Sequence, residues 1–172
     1  RVSFVDASAG VTLILGLAGP QATGGSSNET LVSIEQIEGS LFNDSIIGSA
    51  GADLILGLAG NDTIYGAEGN DTVDGGLGSN VLDGGDGIDR ISYAQASTGV
   101  SVQLQLQITG STNAAFLINF EDVEGSAYDD FVNATTDDNL ANLFLGLGGN
   151  DYLLGQGGND TLDGGDGNDT LD

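Results

Sequence analysis

The stretch "GLAGNDTIYGAEGNDTVDGG", residues 57–76, writes nearly the same phrase twice. Gly60-Asn61-Asp62-Thr63-Ile64 returns nine places on as Gly69-Asn70-Asp71-Thr72-Val73. Steps of nine from Asp62 reach Asp44, Asp53, Asp71, Asn80 and Asp89. Two residues after each stands an aliphatic: Ile46, Ile55, Ile64, Val73, Leu82 and Ile91. Two residues before stands a glycine (Gly51, Gly60, Gly69, Gly78, Gly87), with Phe42 as the exception ahead of Asp44. A second array repeats the pattern with Asp151, Asp160 and Asp169, preceded by Gly149, Gly158 and Gly167 and followed by Leu153, Leu162 and Leu171. A fixed short period marks a stacked repeat, in which one unit cannot bury its apolar face alone.

Each nonad divides into a six-residue turn such as "GAEGND" and a three-residue strand such as "TVD". Glycines permit positive φ and close backbone approach in the turn. In the strand the middle side chain points to one face and its neighbours to the other. With successive strands in opposite sheets, two nonads make one coil of a flattened parallel roll. Residues one coil apart then stack at roughly 4.8 Å. Asp44, Asp62 and Asn80 fall on one edge, and Asp53, Asp71 and Asp89 on the other. Like charges that close repel, and more strongly as water is excluded. A hard cation between two carboxylates and several turn carbonyls relieves this. The environment suits calcium, which takes roughly six to eight oxygens, better than magnesium, which demands tighter geometry and keeps its waters.

Composition agrees. Among 172 residues, 26 acids face only Arg1 and Arg90, a net charge of −24. That charge excludes nucleic acid as a partner and opposes compaction. The apolar fraction is nonetheless 39%, so the chain reads as one that folds when something neutralises it. It has no cysteine, histidine or lysine. Disulfides, zinc-thiolate sites, histidine triads and Schiff-base lysines are therefore excluded. No apolar run is long enough for a membrane span.

A longer repeat lies above the nonads. Arg90-Ile91-Ser92-Tyr93 and "ASTGVSVQL" echo Arg1-Val2-Ser3-Phe4 and "ASAGVTLIL", and "LVSIEQIEGS" (31–40) returns as "LINFEDVEGS" (117–126). The predicted organisation is two tandem modules. The first covers 1–89, with a β-rich leader at 1–38 and an array at 39–89. The second covers 90–172, with a leader at 90–124 and an array at 125–172 that is irregular at 133–142. There Asn139 and Asn142 compete for one slot, and three extra residues predict a bulge or loop between Asp130 and Asp151. Arg1 stands where Arg90 follows Asp89, and Asp172 falls in mid-array, so the chain is expected to be a piece of a longer protein.

"GAEGNDTVD", "GGDGIDRIS" and "GGDGNDTLD" resemble the G-G-x-G-x-D-x-U-x nonapeptide of the RTX (hemolysin-type) calcium-binding repeats. The resemblance covers about 39–92 and 142–172 and implies an all-β, right-handed parallel β-roll with several calcium ions between its turns. In that family each ion takes the sixth-position aspartate of two turns on one edge, plus backbone carbonyls. Carried over, the pairs are Asp53/Asp71, Asp71/Asp89 and Asp151/Asp169, with Asp44/Asp62 beside them despite Phe42. Asp62/Asn80 and Asn142/Asp160 lack one anionic ligand and are expected to bind weakly or not at all. An EF-hand is excluded, because its spacing and terminal glutamate are missing.

Other acids are expected to be solvated: Asp74, Asp83 and Asp163 on strand faces, Asp86 and Asp166 in turns, and Glu35 and Glu121 in the leaders. Glu35 and Glu121 nonetheless stand nine places before Asp44 and Asp130, where they would begin a ligand ladder. Asp129-Asp130 and Asp137-Asp138 form either an irregular site or a solvated loop. Phe4 and Tyr93 are expected to fill the junctions between coils.

The resemblance implies a non-catalytic, calcium-loaded structural module of a secreted protein, exported by type I machinery and folding outside the cell. Its partners would be calcium and the flanking domains of the same chain. The alternative is a calcium-dependent module that binds extracellular polysaccharide or a cell surface, as in adhesins or epimerase-associated repeats. An enzymatic reading rests only on carboxylate pairs that calcium already explains.

Overall fold

The computed structural model describes residues 1–17, 19–21, 30–104, 115–134 and 140–172. Among them every regular element is a strand, and no helix is long and apolar enough to cross a membrane. All pairings between named strands are parallel. The chain is a parallel β-roll.

One face is a continuous eight-stranded sheet. Its strands, in spatial order, are β1 (Val2–Ser3), β3 (Gln36–Glu38), β5 (Leu54–Leu56), β7 (Thr72–Asp74), β9 (Arg90–Ser92), β12 (Asp122–Glu124), β14 (Leu143–Leu145) and β16 (Thr161–Asp163). The opposite face is in two pieces. One holds β2 (Thr12–Ile14), β4 (Ser45–Ile47), β6 (Thr63–Glu68), β8 (Asn80–Asp86) and β11 (Ala115–Ile118). The other holds β10 (Ser101–Gln103), β13 (Phe131–Asn133), β15 (Tyr152–Leu154) and β17 (Thr170–Leu171). The eight-stranded sheet runs unbroken past residue 89, through β7, β9 and β12.

Register follows the nonads. Ser45 pairs with Thr63 and Thr63 with Val81, two nonads per coil. The middle residue of each strand points inward, as period-two alternation requires. On the continuous face the inner column is Ile37, Ile55, Val73, Ile91, Val123 and Phe144, each 2% exposed or less. Facing it are Leu13, Ile46, Ile64, Leu82 and Leu117, then Val102, Val132 and Leu153. The column is less covered at the last coil, where Leu171 is exposed.

The leaders use the same roll without the nonad. Phe4 and Tyr93 are buried in equivalent places: their N–H groups donate to the carbonyls of Glu38 and Glu124 at 2.9 and 2.8 Å. Each is then closed by a turn, with Ala7 N–H on Phe4 O and Ala96 N–H on Tyr93 O, both at 2.8 Å. The first exposed edge is capped by a side chain. Gln21 accepts Ile14 N–H and donates to Ile14 O, both at 2.6 Å, as a neighbouring strand would. The three extra residues of the second array fall between β13 and β14, since Phe131 pairs with Tyr152 and Val123 with Phe144. Asn142 takes the repeat slot there and is buried. Asn139 and Asp137-Asp138 lie outside the described residues.

One expectation about surface acids is corrected. Asp74 and Asp83 are half-buried, whereas Asp86, Asp163 and Asp166 are exposed. Asp74 accepts Gly76 N–H at 2.9 Å and lines a cavity of about 270 Å³ with Tyr93, Ala96 and Leu77. The second leader folds back over the end of β7, a long-range contact that strand alternation does not encode. Burial pushes the Asp74 carboxyl up, and Glu124 adds to it. Asp83 is held by Asn119, whose Nδ2 donates to Oδ1 at 2.9 Å.

Ile64 is fully buried between Ile46 and Leu82 in adjoining coils. Ile64→Ala should lower unfolding free energy by about 2–5 kcal/mol, because a stacked column relaxes little around a void. Val32→Ala, at a residue 70% exposed, should stay within about 0.5 kcal/mol. Denaturant unfolding at one fixed calcium concentration checks both.

Candidate metal centre

The turns build two edges. On one, Asp44 N–H donates to Asp62 Oδ1 and Asp62 N–H to Asn80 Oδ1, each at 2.8 Å. Further along it, Asp130 N–H donates to Asp151 Oδ1 at 2.8 Å and Asp151 N–H to Asp169 Oδ1 at 3.0 Å. On the other edge, Asp53 N–H reaches Asp71 Oδ1 and Asp71 N–H reaches Asp89 Oδ1, again at 2.8 Å. Asn142 N–H donates to Asp160 Oδ1 at 3.0 Å. Each carboxylate thus spends one oxygen on the coil before it. Asp44, Asp53, Asp62, Asp71, Asn80, Asp89 and Asp151 are all buried, while Asp160 and Asp169, in the last two turns, are half-buried.

The turn backbone explains where the second oxygen points. Four residues before an aspartate, Leu58, Ala67, Leu147 and Gln156 take left-handed φ values of 75°, 87°, 72° and 62°. Gly76, Gly85 and Gly165 do the same at the equivalent places. Non-glycine residues pay for this conformation, and such strain gathers where a site requires it. Two residues before the ladder residue, Gly60, Gly69, Gly78, Gly87, Gly149, Gly158 and Gly167 all have φ between 117° and 155°. Gly51 is not among the positive-φ glycines. Gly57 illustrates the close approach: a Cβ there would lie 2.6 Å from Asp62 Oδ2 and 2.8 Å from the Gly75 carbonyl of the next coil. Only hydrogen fits between carboxylate and carbonyl.

Asp62, Asp71, Asp89 and Asp151 each hold Oδ2 buried with no hydrogen-bond partner, and Asp53 holds Oδ1 so. A buried anionic oxygen without a partner is costly. Burial, reinforced by neighbouring carboxylates, pushes the Asp62 and Asp71 carboxyls up to about 6. Backbone hydrogen bonds oppose the rise without cancelling it. Asp89 and Asp151 are raised for the same leading reason. Among the described residues no three acidic side chains converge on one point. Any ion here must therefore complete its shell from backbone carbonyls, such as that of Gly75, around one or two carboxylates. Hard oxygen donors, anionic and carbonyl together, fit calcium.

Two ladder members stand outside the nonad register. Glu121 Oε2 accepts Asp89 N–H at 2.9 Å, so Glu121 is half-buried in the ladder one coil beyond Asp89 and is not a solvated leader residue. Its own burial raises its carboxyl. A step of nine back from Asp130 reaches it, but that step does not show its pairing with Asp89, from which the second leader separates it by 32 residues. Glu35 is exposed, as expected. Asp130 occupies the place in its module that Asp44 has in the first, a match visible in "VEGSAYDD" against "IEGSLFND". The two asparagines are partly self-satisfied. Asn80 Nδ2 donates to Gly75 O at 2.9 Å, and Asn142 Nδ2 to Glu121 O at 2.8 Å.

A parallel roll whose turns bury paired carboxylates with unspent oxygens is a calcium-binding structural module. The family model of the RTX calcium-binding nonapeptide repeat (4 copies) matches residues 34–64, 56–91 and 139–171, and the chain belongs to this family. A search of curated proteins finds no match.

The raised carboxyls set a pH response. Asp62 and Asp71 bind a proton more tightly folded than unfolded. They therefore favour the cation-free fold fully below their ordinary value of 3.8, and this contribution is lost as pH rises through about 6. In chelator, acidification from neutrality to about pH 5 should increase β-structure in circular dichroism. Calcium affinity should fall over the same window, as protons compete for the same oxygens.

Proposed function

We propose that this chain is a non-catalytic module that folds on binding calcium outside the cell, as a structural part of a secreted protein exported by type I machinery. The observation that carries the reading is the row of unpartnered buried oxygens on Asp62, Asp71, Asp89 and Asp151. Without a cation these oppose the fold, and the net charge of −24 opposes it further. A cation that binds only the coiled state turns its binding energy into folding energy. A chain of this kind stays open where calcium is scarce and closes where it is plentiful, which suits passage through a narrow export path. The family's repeats are typical of secreted proteins, and the absence of histidine, cysteine and lysine leaves little catalytic chemistry.

In this reading the ligands come from same-edge neighbours: Asp53 with Asp71, Asp71 with Asp89, and Asp151 with Asp169. Asp62 and Asp160 each face an asparagine across the coil. The glycines of the turns bring the carbonyls close. Asp71 is central, because Asp53 and Asp89 flank it on its own edge and both raise its carboxyl.

Calcium titration followed by far-ultraviolet circular dichroism tests this. Chelated protein at neutral pH should be largely disordered, and calcium should convert it to β-structure where equal magnesium does not. A fully folded, calcium-insensitive chain would sink the proposal. Asp71→Ala should cost on the order of 3–5 kcal/mol, as loss of one member of a buried charged cluster does. Asp166→Ala, at an exposed turn residue, should stay within about 0.5 kcal/mol.

A further inference from the structure

The repeated phrase "EGS", residues 38–40 and 124–126, opens the first turn of each array, and its serine builds a different turn. Ser40 N–H donates to Asp44 Oδ2 at 2.7 Å and Ser40 Oγ–H to Asp44 Oδ1 at 2.6 Å. Val11 N–H, from the leader, supplies a third bond to Oδ1 at 2.8 Å. The second module repeats this nearly atom for atom. Ser126 N–H lies 2.6 Å from Asp130 Oδ2, Ser126 Oγ 2.8 Å from Oδ1, and Val100 N–H 2.7 Å from Oδ1. Neither carboxylate has an unpartnered oxygen, unlike Asp62, Asp71, Asp89 and Asp151.

The backbone differs along with the bonding. Neither Ser40 nor Ser126 is left-handed, whereas Leu58, Ala67, Gly76, Gly85, Leu147, Gln156 and Gly165 are. Each serine hydroxyl also accepts the N–H two residues on, Phe42 and Tyr128, both at 3.1 Å. This local side-chain bond holds the turn in a conformation that needs no positive φ. Phe42 and Tyr128 then stand where the other turns require glycine, at no backbone cost. Ser49 shows that serine suffices even beside a glycine. Its N–H reaches Asp53 Oδ2 at 2.6 Å, its Oγ accepts Gly51 N–H at 3.1 Å, and Gly51 lacks the positive φ of its counterparts. Without a leader N–H or hydroxyl on Asp53, one oxygen there stays free.

We infer that Ser40 and Ser126 seal the first turn of each array against calcium, with their donors in place of the ion, so that Asp44 and Asp130 hold the coil and bind no cation in their own turn. Cations are confined to turns that leave an aspartate oxygen without a donor. The residue four before the aspartate is then a determinant of each turn. Serine closes it where a second donor meets the other oxygen, as Val11 and Val100 do for Asp44 and Asp130 and as nothing among the described residues does for Asp53. Glycine or a strained left-handed residue opens it. Each array thus begins on a coil that is complete without metal and docks onto its leader through Val11 or Val100. This rests on the calcium reading above.

The test counts ions on the full chain by equilibrium dialysis against labelled calcium, with circular dichroism to check folding. Ser126→Gly combined with Tyr128→Gly gives the turn the residues of an open one, and should add one ion per molecule to the wild-type count. Ala67→Ser, which adds a single oxygen, should close the Asp71 turn and remove one ion while the calcium-saturated chain remains β-structured. Ser126→Thr keeps both donors and should leave the count unchanged. Wild-type protein that binds calcium, with the same count in Ser126→Gly/Tyr128→Gly and in Ala67→Ser, would overturn the inference and leave the calcium reading standing. Should the double variant fail to fold, Ala67→Ser alone decides, since an unchanged count there is equally fatal. Wild-type protein that binds no calcium would overturn both.

Discussion

Most turns of this roll bury a carboxylate, because a side-chain oxygen at that place ties one coil to the next, an amide oxygen doing the same at Asn80. In the row Asp53, Asp71, Asp89 the oxygen of each later residue accepts the backbone N–H of the one before it, at 2.8 Å. An apolar residue in that place would leave a buried N–H unmet, at a cost of about 1–3 kcal/mol. Meeting it with a carboxylate brings in a second oxygen and a full charge. The glycines, the left-handed residues and the inward carbonyls are all arrangements around that second oxygen.

Much of this was legible because the repeat couples two signals at fixed phase. The aliphatic two residues after each aspartate fixes which way the strand faces, and the nonad fixes the strand that comes next beside it. The pairing of Thr63 with Val81, and of Leu54 with Thr72, follows from counting alone. What was not legible depends on contacts between distant segments. Glu121 joins the ladder because β12 pairs with β9 across the second leader. Asp74 is half-buried because the second leader brings Tyr93 and Ala96 to the cavity that Asp74 lines. The serine turns were visible as letters, but the dihedral angles that set them apart were not.

The leaders follow a separate logic. Val11 and Val100 give both backbone groups to the first array turn: each N–H meets an aspartate oxygen, and each carbonyl accepts the next strand's first N–H, from Ser45 at 2.8 Å and Phe131 at 2.9 Å. A valine backbone thus does one coil earlier what an aspartate backbone does within the array. The leaders therefore present a template strand with the spacing that the first array strand needs. Nucleation is the expensive step for parallel pairing, since loop closure precedes any reward.

The spacing of the coils has a consequence beyond the individual turns. Neighbouring carboxylates on an edge recur at the inter-strand distance of roughly 4.8 Å. Two unit charges so placed repel by about 0.9 kcal/mol even at the dielectric constant of water, against a thermal energy of about 0.6 kcal/mol. The edge that runs through Asp53, Asp71, Asp89 and Glu121 is therefore a polyelectrolyte line as well as a row of pockets. Like the phosphate backbone of a nucleic acid, it gathers an atmosphere of mobile counterions before any ion settles. On the proposal that calcium binds at this edge and drives folding, it would displace sodium or potassium held there, and ionic strength would enter the folding equilibrium as a competitor.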